Sequence, residues 1–591
     1  MTPPTAPGVA AARAAALGTA LAAALAGAAL FLQFAASSGL SALDVVRAGL
    51  IGATMAWLAW GAVQAVLGLL YRARPVPRLP EDAAVEGRTV VLMPICHEDP
   101  RETFARLAAI DASIAQTGTR ARIDIAVLSD STDPAAARSE AFWFARLVDE
   151  RGGAGRMFYR RRERNLGRKA GNIGDFLARS GGAYDYALIL DADSIMEGET
   201  VVEMIRRMEA DPGLGLLQTL PQIVRSRTLF GRAMQFAASL HSPIFSRGIA
   251  TIQGPAGPFW GHNALVRVRA FAASCHLPPL SGKPPFGGHV LSHDTVEAAM
   301  LVRGGWRVRL DPDLGGSFEE GPQDVIEHGR RDRRWCQGNL QHIRLLPAPG
   351  LTAWGRFSLA QGIASYLMPL LWLALLVTAI PAVVLEPPPD YFPDGRSLFP
   401  VFPTDETAKA LALGLGVVAV LIAPKIAILL TALGVGAAPA FGGRVRLVLS
   451  TLSELALSTL LAPILLMLQT RAVFQVLLGI DAGWPATPRG ARGVPLSTAI
   501  RATWWIVLAG VGALAVSWWM APELVPWALP VALPMMAAPL VVSWTSQPSP
   551  RLIFHIREEI APSPVLAGVR AVLLAWIDEP EPTAQRALAH G

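Results

Sequence analysis

Apolar residues crowd the two ends of this chain, and the middle follows a different rhythm. Residues 14–36 and about 45–70 are runs of some twenty or more apolar positions, each long enough to cross a bilayer as a helix. Further runs of this kind occupy about 358–386, 407–433, 499–520 and 524–546. One more, 447–470, carries Glu454 and Pro463, which leaves a crossing, a re-entrant course or an interfacial course open. The expected spans therefore number six to eight.

From 86 to 345 the apolar positions come instead in short bursts. Residues 88–95, 123–129, about 156–160 and 186–190 read as strands with polar exits. Helical stretches at about 101–116, 134–151 and 165–179 separate them. Strand alternating with helix predicts a parallel, doubly wound, Rossmann-like α/β sheet. Beyond Asp193 the pattern loosens into an amphipathic helix at about 228–246 and a loop entering a strand at Gly261–Arg267. A helix Val296–Arg303 follows, closed by Gly304-Gly305, and then a strand Trp306–Leu310.

Composition turns this into a domain plan. Only 17% of the 591 residues are charged, against about 25% in a soluble chain. The charged ones collect in the middle, so the fold class is a polytopic α-helical membrane protein with an inserted soluble α/β domain. The expected units are a membrane region 1–85, the inserted domain 86–350, a second membrane region 351–550 with a loop at about 471–498, and a tail 551–591. Three arginines in Tyr71–Arg78 follow the second span and predict a cytoplasmic domain. Residues 386–406, with Arg396 as their one cation, read as periplasmic; Arg444, Arg446, Arg489, Arg492 and Arg501 read as cytoplasmic, as does the tail. The net charge of +6 gathers at these membrane boundaries and so speaks for topology rather than for nucleic acid. Cys96, Cys275 and Cys336 have no metal-ligand spacing and suit a reducing compartment.

Chemistry centres on Asp191-Ala192-Asp193, at the end of the buried run Tyr186–Leu190. Ligands of open α/β sheets bind beyond the carboxyl ends of strands. Strand alternation would send both carboxylates to one side, where they suit a hard divalent cation and a substrate's phosphates. A lone Asp-x-Asp is more often a solvated strand end, so its company decides. Glu98 and Asp130 end the first two strands. Lys169 lies in a Gly-Arg-Lys-Ala-Gly turn at a helix start, where phosphates are favoured. Asp294 is a candidate base or a mere helix cap. Arg331, Arg334 and Trp335 offer cations and a stacking face. Singly, each has a bland reading as a cap, a solvated charge or a membrane-proximal surface.

In order, Pro94-Ile-Cys-His-Glu98, Ser-Asp130-Ser, Gly167-Arg-Lys169-Ala-Gly, Asp191-Ala-Asp193, His293-Asp294 and Arg331-Asp-Arg-Arg334-Trp335 resemble the processive family 2 glycosyltransferases, the cellulose and hyaluronan synthase group. His293-Asp-Thr-Val-Glu-Ala and Arg330–Asn339 look closer still to the glucan biosynthesis glucosyltransferase H family of osmoregulated periplasmic glucan synthesis. The resemblance covers about 86–345. It implies a glycosyltransferase A-type domain in the bacterial inner membrane, UDP-glucose as donor and a growing β-1,2-glucan as acceptor and product. It also implies Mg2+ or Mn2+ as cofactor, membrane lipid around the spans, and acyl carrier protein and a periplasmic glucan-processing protein as partners. Asp130 would contact uridine, Asp191 and Asp193 would act through the metal on the diphosphate, and Asp294 would be the general base. Arg334 and Trp335 would sit at the acceptor and diphosphate end. Two positions depart from the wider family: Arg331 stands where Gln is usual in Gln-x-x-Arg-Trp, and Ser292-His293-Asp294 stands for Thr-Glu-Asp. A related β-glycan synthase, such as a cellulose synthase, and a non-catalytic UDP-glucose sensor are the competing readings.

Overall fold

The computed structural model describes all residues except 1–5, 37–38, 74, 81–82, 387–406, 481–492, 551 and 579–591. Two antiparallel helices, α1 (Pro7–Ala35) and α2 (Ala42–Leu69), come first. The α/β part follows as β1 (Thr89–Ile95), α3 (Pro100–Gln116), β2 (Ile123–Ser129), α4 (Pro134–Arg151), β3 (Met157–Arg161), α5 (Arg168–Ser180) and β4 (Tyr186–Ile189). Next are β5 (Ile195–Met196), α6 (Gly198–Ala210), β6 (Leu214–Gln218), β7 (Gln222–Val224), α7 (Leu229–Gln253), β8 (Ala264–Arg267) and α8 (Val268–Ser274). The domain closes with α9 (His293–Arg303), β9 (Arg307–Leu310), β10 (Ser317–Glu320) and α10 (Val325–Gln341). Then come α11 (Ala353–Val384), α12 (Thr407–Gly434), α13 (Arg444–Leu477), α14 (Leu496–Met520), α15 (Val525–Met536), α16 (Ala538–Thr545), α17 (Arg557–Ile560) and α18 (Pro564–Ala575).

The main sheet has seven strands in the order β3-β2-β1-β4-β8-β6-β9. It is mixed rather than wholly parallel, because β8 runs antiparallel to both β4 and β6. β4 and β8 are separated in sequence by β6 and the long helix α7, so no strand-helix-strand repeat announces this reversal. β1 pairs in parallel with β2 on one side and β4 on the other, which opens a crevice at their carboxyl ends where the chain changes direction. Val91, Met93, Val127, Leu188 and Leu217 are fully buried on the face covered by α3 and α6; Leu92, Leu128, Ile189 and Val266 fill the other under α5 and α9. A second sheet, β5-β10-β7, lies beside it and is tied to it where Asn263 Nδ2 donates to Ser317 Oγ (2.8 Å) and Phe318 O (3.2 Å).

Among the described residues six helices are long and apolar enough to span a bilayer: α1, α2, α11, α12, α13 and α14. Contacts with the α/β domain sort them. At the start of α1, Arg13 donates to Ile252 O (2.9 Å) and Gln253 O (2.8 Å) at the end of α7. The ambiguous run at 447–470 is part of one continuous 34-residue helix, α13. Such a helix is about 51 Å long, yet it touches domain-side chain at both ends. Ser450 Oγ accepts from Phe554 N (2.9 Å), while Arg333 of α10 donates to Ile480 O (3.2 Å) just past the helix end. α13 therefore runs along the domain, the interfacial course, rather than through the bilayer.

The expected single span at 524–546 is instead α15 and α16, bent by 55°. Pro530 and Pro534 lie inside α15 and Pro539 opens α16, and proline removes the hydrogen bonds that would keep the helix straight. Its far end returns to where α14 began: Val494 N donates to Ser546 Oγ (2.8 Å) and Ser543 Oγ to Val494 O (2.9 Å). Crossings by α1, α2, α11, α12, α14 and the α15–α16 pair leave both described ends on the domain's side. The segment 386–406 and the loop arginines Arg489 and Arg492 lie outside the described residues, apart from Glu386 itself.

The tail does not trail away. Arg232 of α7 pairs with Glu559 (2.6 Å), and α18 lies across α3. Trp576, fully buried, stacks on Trp143 with ring centroids 5.2 Å apart and donates from Nε1 to Glu150 (2.7 Å). Trp576→Ala is expected to lower the domain's stability by about 3–5 kcal/mol, as truncation of a buried aromatic does. Thermal unfolding of the purified protein in detergent checks this, and an unchanged midpoint would show that α18 is not part of the folded unit.

Candidate active site

The crevice at the carboxyl ends of β1, β2 and β4 gathers most of the expected residues. β4 stops at Ile189, so strand alternation does not orient Asp191 and Asp193. They stand instead on a tight turn closed by Ser194, whose N donates to Asp191 O (3.0 Å) and whose Oγ accepts from Asp191 N (2.9 Å). The turn leaves the Asp191 side chain 39% exposed and Asp193 almost buried.

Lys169, in the first turn of α5, reaches back rather than out. Its Nζ forms an ion pair with Asp191 Oδ1 and donates to Gly261 O (2.6 Å). Burial alone would raise the Asp191 carboxyl. Lys169, by charge and hydrogen bond, with His262 and Arg331 nearby, holds it far below the usual carboxylate range.

Gly261 links this pair to the candidate base. Its φ of +83° is open to glycine, and a Cβ there would lie 3.6 Å from Asp294 Cβ and 3.7 Å from Oδ2. Asp294 is not the helix cap: Ser292 holds that position, and Asp294 sits half-buried in the first turn of α9. Asp191, Lys169, Gly261 and Asp294 thus form one run of contacts across the crevice.

α10 is pressed against the start of α9. A Cβ on Gly338 would lie 2.1 Å from Ser292 Oγ, so only glycine permits the approach. Leu291 N donates to Gln341 Oε1 (3.1 Å), and His342 Nε2 bonds Ser292 O (2.9 Å). This clamp brings in the basic stretch. The Arg331 guanidinium lies 4.5 Å from the Trp335 ring centroid and 3.7 Å from Glu319. Trp335 is 43% exposed, and Arg334 stands one turn on from Arg331 along the same helix, half-buried.

Two expected residues have partners that the sequence did not suggest. Asp130, buried, accepts from Arg162 Nε (2.7 Å) and Nη2 (2.8 Å), and Arg162 also donates to Leu166 O and Arg168 O. Glu98 Oε2 accepts from Cys96 N and so shapes the turn leaving β1. Glu319 and His262, 3.6 Å apart, complete the centre and were not singled out. His262 lay within the Gly261–Arg267 loop already marked as irregular. Glu319 came from a stretch with no periodic signal at all.

Burial pushes the Glu319 carboxyl up; His262 and Arg331 oppose this, while Asp193 and Asp191 add to it. Three carboxylates that repel one another inside a crevice, with hard oxygen donors and no thiol among them, fit a divalent cation such as Mg2+ or Mn2+. Among the described residues no group of three or more His, Cys, Asp or Glu is placed to hold a metal ion by itself. The cysteines offer no nucleophile: burial first, then nearby carboxylates, pushes Cys96 up to about 11, and burial lifts Cys336 to about 12.

Behind Asp294, His293 Nδ1 bonds Glu297 Oε2 (2.9 Å). Burial would lower His293, but Glu297, by charge and hydrogen bond, and Asp294 raise it overall. The folded state therefore binds this proton more tightly than the unfolded chain, whose histidine titrates near 6.5. The pair's contribution is full below that pH and fades as pH rises through the higher folded value. Glu297→Gln is expected to lose about 1.5–3 kcal/mol in acid and progressively less in alkali. Melting curves of both proteins across pH check it; a constant difference would refute the charged pair.

Glucans biosynthesis glucosyltransferase H of Cereibacter sphaeroides is 53% identical to this chain over 95% of it and 94% of the relative. The chain belongs to that family. The Rhodopseudomonas palustris member is 41% identical over 90% of this chain and 75% of its own length. Residues 91–274 match the model of glycosyl transferase family 2, and residues 186–401 that of glycosyl transferase family group 2. This glucosyltransferase H relative is accordingly a glycosyltransferase, and its inserted domain is of the glycosyltransferase A type. A solved mannosyltransferase from Pyrobaculum calidifontis, in complex with GDP-Man and Mn2+, aligns over 66% of this chain and 99% of its own at 17% identity and a TM-score of 0.41.

Proposed function

We propose that this protein transfers glucose from UDP-glucose to the growing end of a β-1,2-glucan and passes that glucan across a bacterial inner membrane. The observation that carries the reading is the run Asp191–Lys169–Gly261–Asp294, which joins a phosphate-side charge cluster to a carboxylate suited to proton removal.

Asp294 accepts the proton of an acceptor hydroxyl as that oxygen bonds to the anomeric carbon. The bond from that carbon to the UDP oxygen breaks on the opposite face, so the configuration inverts. Asp191 and Asp193 would hold Mg2+ or Mn2+, which when bound supplies positive charge to the leaving diphosphate. Lys169 and Arg331 are fixed cations on the same side, already oriented before reaction. Asp130, with Arg162, stands at the uridine end, Glu98 shapes the neighbouring wall, and Trp335 and Arg334 face the acceptor. The domain, both described ends and α13 then share the cytoplasmic side, in line with the arginines of Tyr71–Arg78. Acyl carrier protein and a periplasmic glucan-processing protein are the proposed partners.

Membranes containing the protein, given radiolabelled UDP-glucose with Mg2+, should make an EDTA-sensitive β-1,2-glucan. A β-1,4 product would overturn the linkage and keep the reaction. Tight UDP-glucose binding with no polymer, even with acyl carrier protein added, would overturn UDP-glucose as the donor for glucan synthesis.

A further inference from the structure

On the membrane side of α7, away from the crevice, lies a cavity of about 520 Å³ between α2, α7, α12 and α13. Its wall is mainly apolar, from residues such as Trp57, Phe245 and Leu421, and Leu421 is 48% exposed toward the lipid-facing flank. Two polar features break that wall. Lys425 of α12 donates to both oxygens of Glu454 on α13, each at 2.9 Å. His241 of α7 is only 7% exposed, and neither ring nitrogen has a hydrogen-bond partner among the described residues.

A buried imidazole with both nitrogens unused has given up its hydrogen bonds to water without replacement, and such a group calls for a partner, whether a water, an ion or a ligand. The volume lies in the range of small-molecule sites, about 300–1,000 Å³. Position limits the choice. α7 and α13 both touch the α/β domain or its tail, while α2 and α12 are long and apolar enough to enter a bilayer, so a molecule in this cavity would meet both a polar and an apolar environment.

We propose that this cavity binds a phospholipid with a phosphoethanolamine headgroup. The paired charges of Lys425 and Glu454 match that zwitterion, phosphate to Lys425 and ammonium to Glu454. His241 donates one hydrogen bond to the phosphate or glycerol oxygens and accepts one from the ammonium. The acyl chains leave past Leu421. A phosphoglycerol headgroup brings no cation for Glu454, and a phosphocholine headgroup brings one that cannot donate a hydrogen bond. The bound lipid would tie α12 to α7 and α13, and α13 in turn meets α10, which carries Arg331.

The test uses the full chain in nanodiscs of equal parts phosphatidylethanolamine, phosphatidylcholine and phosphatidylglycerol. Native mass spectrometry after release reads the lipids that stay bound. Phosphatidylethanolamine should be retained about tenfold over each of the others, the equivalent of one hydrogen bond to a charged group. The double substitution Lys425→Gln with Glu454→Gln should abolish the preference. Equal retention of all three lipids by the wild-type protein would overturn the proposal, whether or not the variant folds. So would soluble phosphoethanolamine raising the melting point as far as the lipid does, since the ligand would then be a free headgroup compound.

Discussion

Asp294→Asn should lower glucosyl transfer by about 10²–10⁴-fold, the usual share of a positioned general base, while UDP-glucose binding stays near wild type. The substitution is nearly isosteric, and the local structure does not depend on the charge. Ser292, not Asp294, occupies the helix cap, and α9 is held from behind by Gly338, Gln341 and His342. A loss of rate with donor affinity intact therefore isolates proton removal from folding and from binding. The measurement is initial rate at saturating donor beside a UDP-glucose titration of the same preparation. Wild-type turnover would falsify the base assignment, and loss of both rate and binding would make Asp294 a donor-site residue instead.

Asp191→Asn should cost about 10²–10³-fold in rate, as removal of one preorganised electrostatic contact does, and should shift the metal response. In the folded protein Asp191 is kept ionised by Lys169, His262 and Arg331 against the desolvation of its place in the crevice. The amide would leave Lys169 facing Gly261 O without its counter-ion and the cation with one charged donor fewer. More Mg2+ or Mn2+ should then be needed for half-maximal rate. Mn2+ binding followed by electron paramagnetic resonance, with UDP present, gives a second readout independent of turnover. Superimposable metal titrations for variant and wild type would remove Asp191 from the cation site. Lys169→Met separates the two roles, because it takes the lysine's charge away and leaves both Asp191 and Asp193.

The α/β succession from β1 to β4 was legible because β1, β2 and β4 are buried on both faces and α4 and α5 carry one apolar stripe. Both signals are local and survive in sequence. The candidate residues were legible as types at strand exits and helix starts. Their partners were not. Arg162 on Asp130, and Glu319 beside His262 and Arg331, join positions 32, 57 and 12 residues apart, and no periodicity records such a pairing. What orients Asp191 and Asp193 is not legible for a similar reason: the turn at Ser194 replaces the strand on which alternation would have acted.

The membrane region divides in the same way. Apolar length alone located α1, α2, α11, α12 and α14. Length could not decide α13, because an interfacial helix and a crossing one bury similar apolar area and differ only in what their ends touch. Contacts of Ser450 and of the Ile480 carbonyl decided it, and the bend between α15 and α16 falls among prolines visible in the sequence. The sequence by itself thus determined which residues are apolar, which are ionisable and where local structure begins and ends, since those follow from side-chain chemistry and backbone preference. The tertiary structure alone decided which strand reverses, which charges meet and which long helix lies on the domain, since each depends on segments brought together by packing and not by the chain between them.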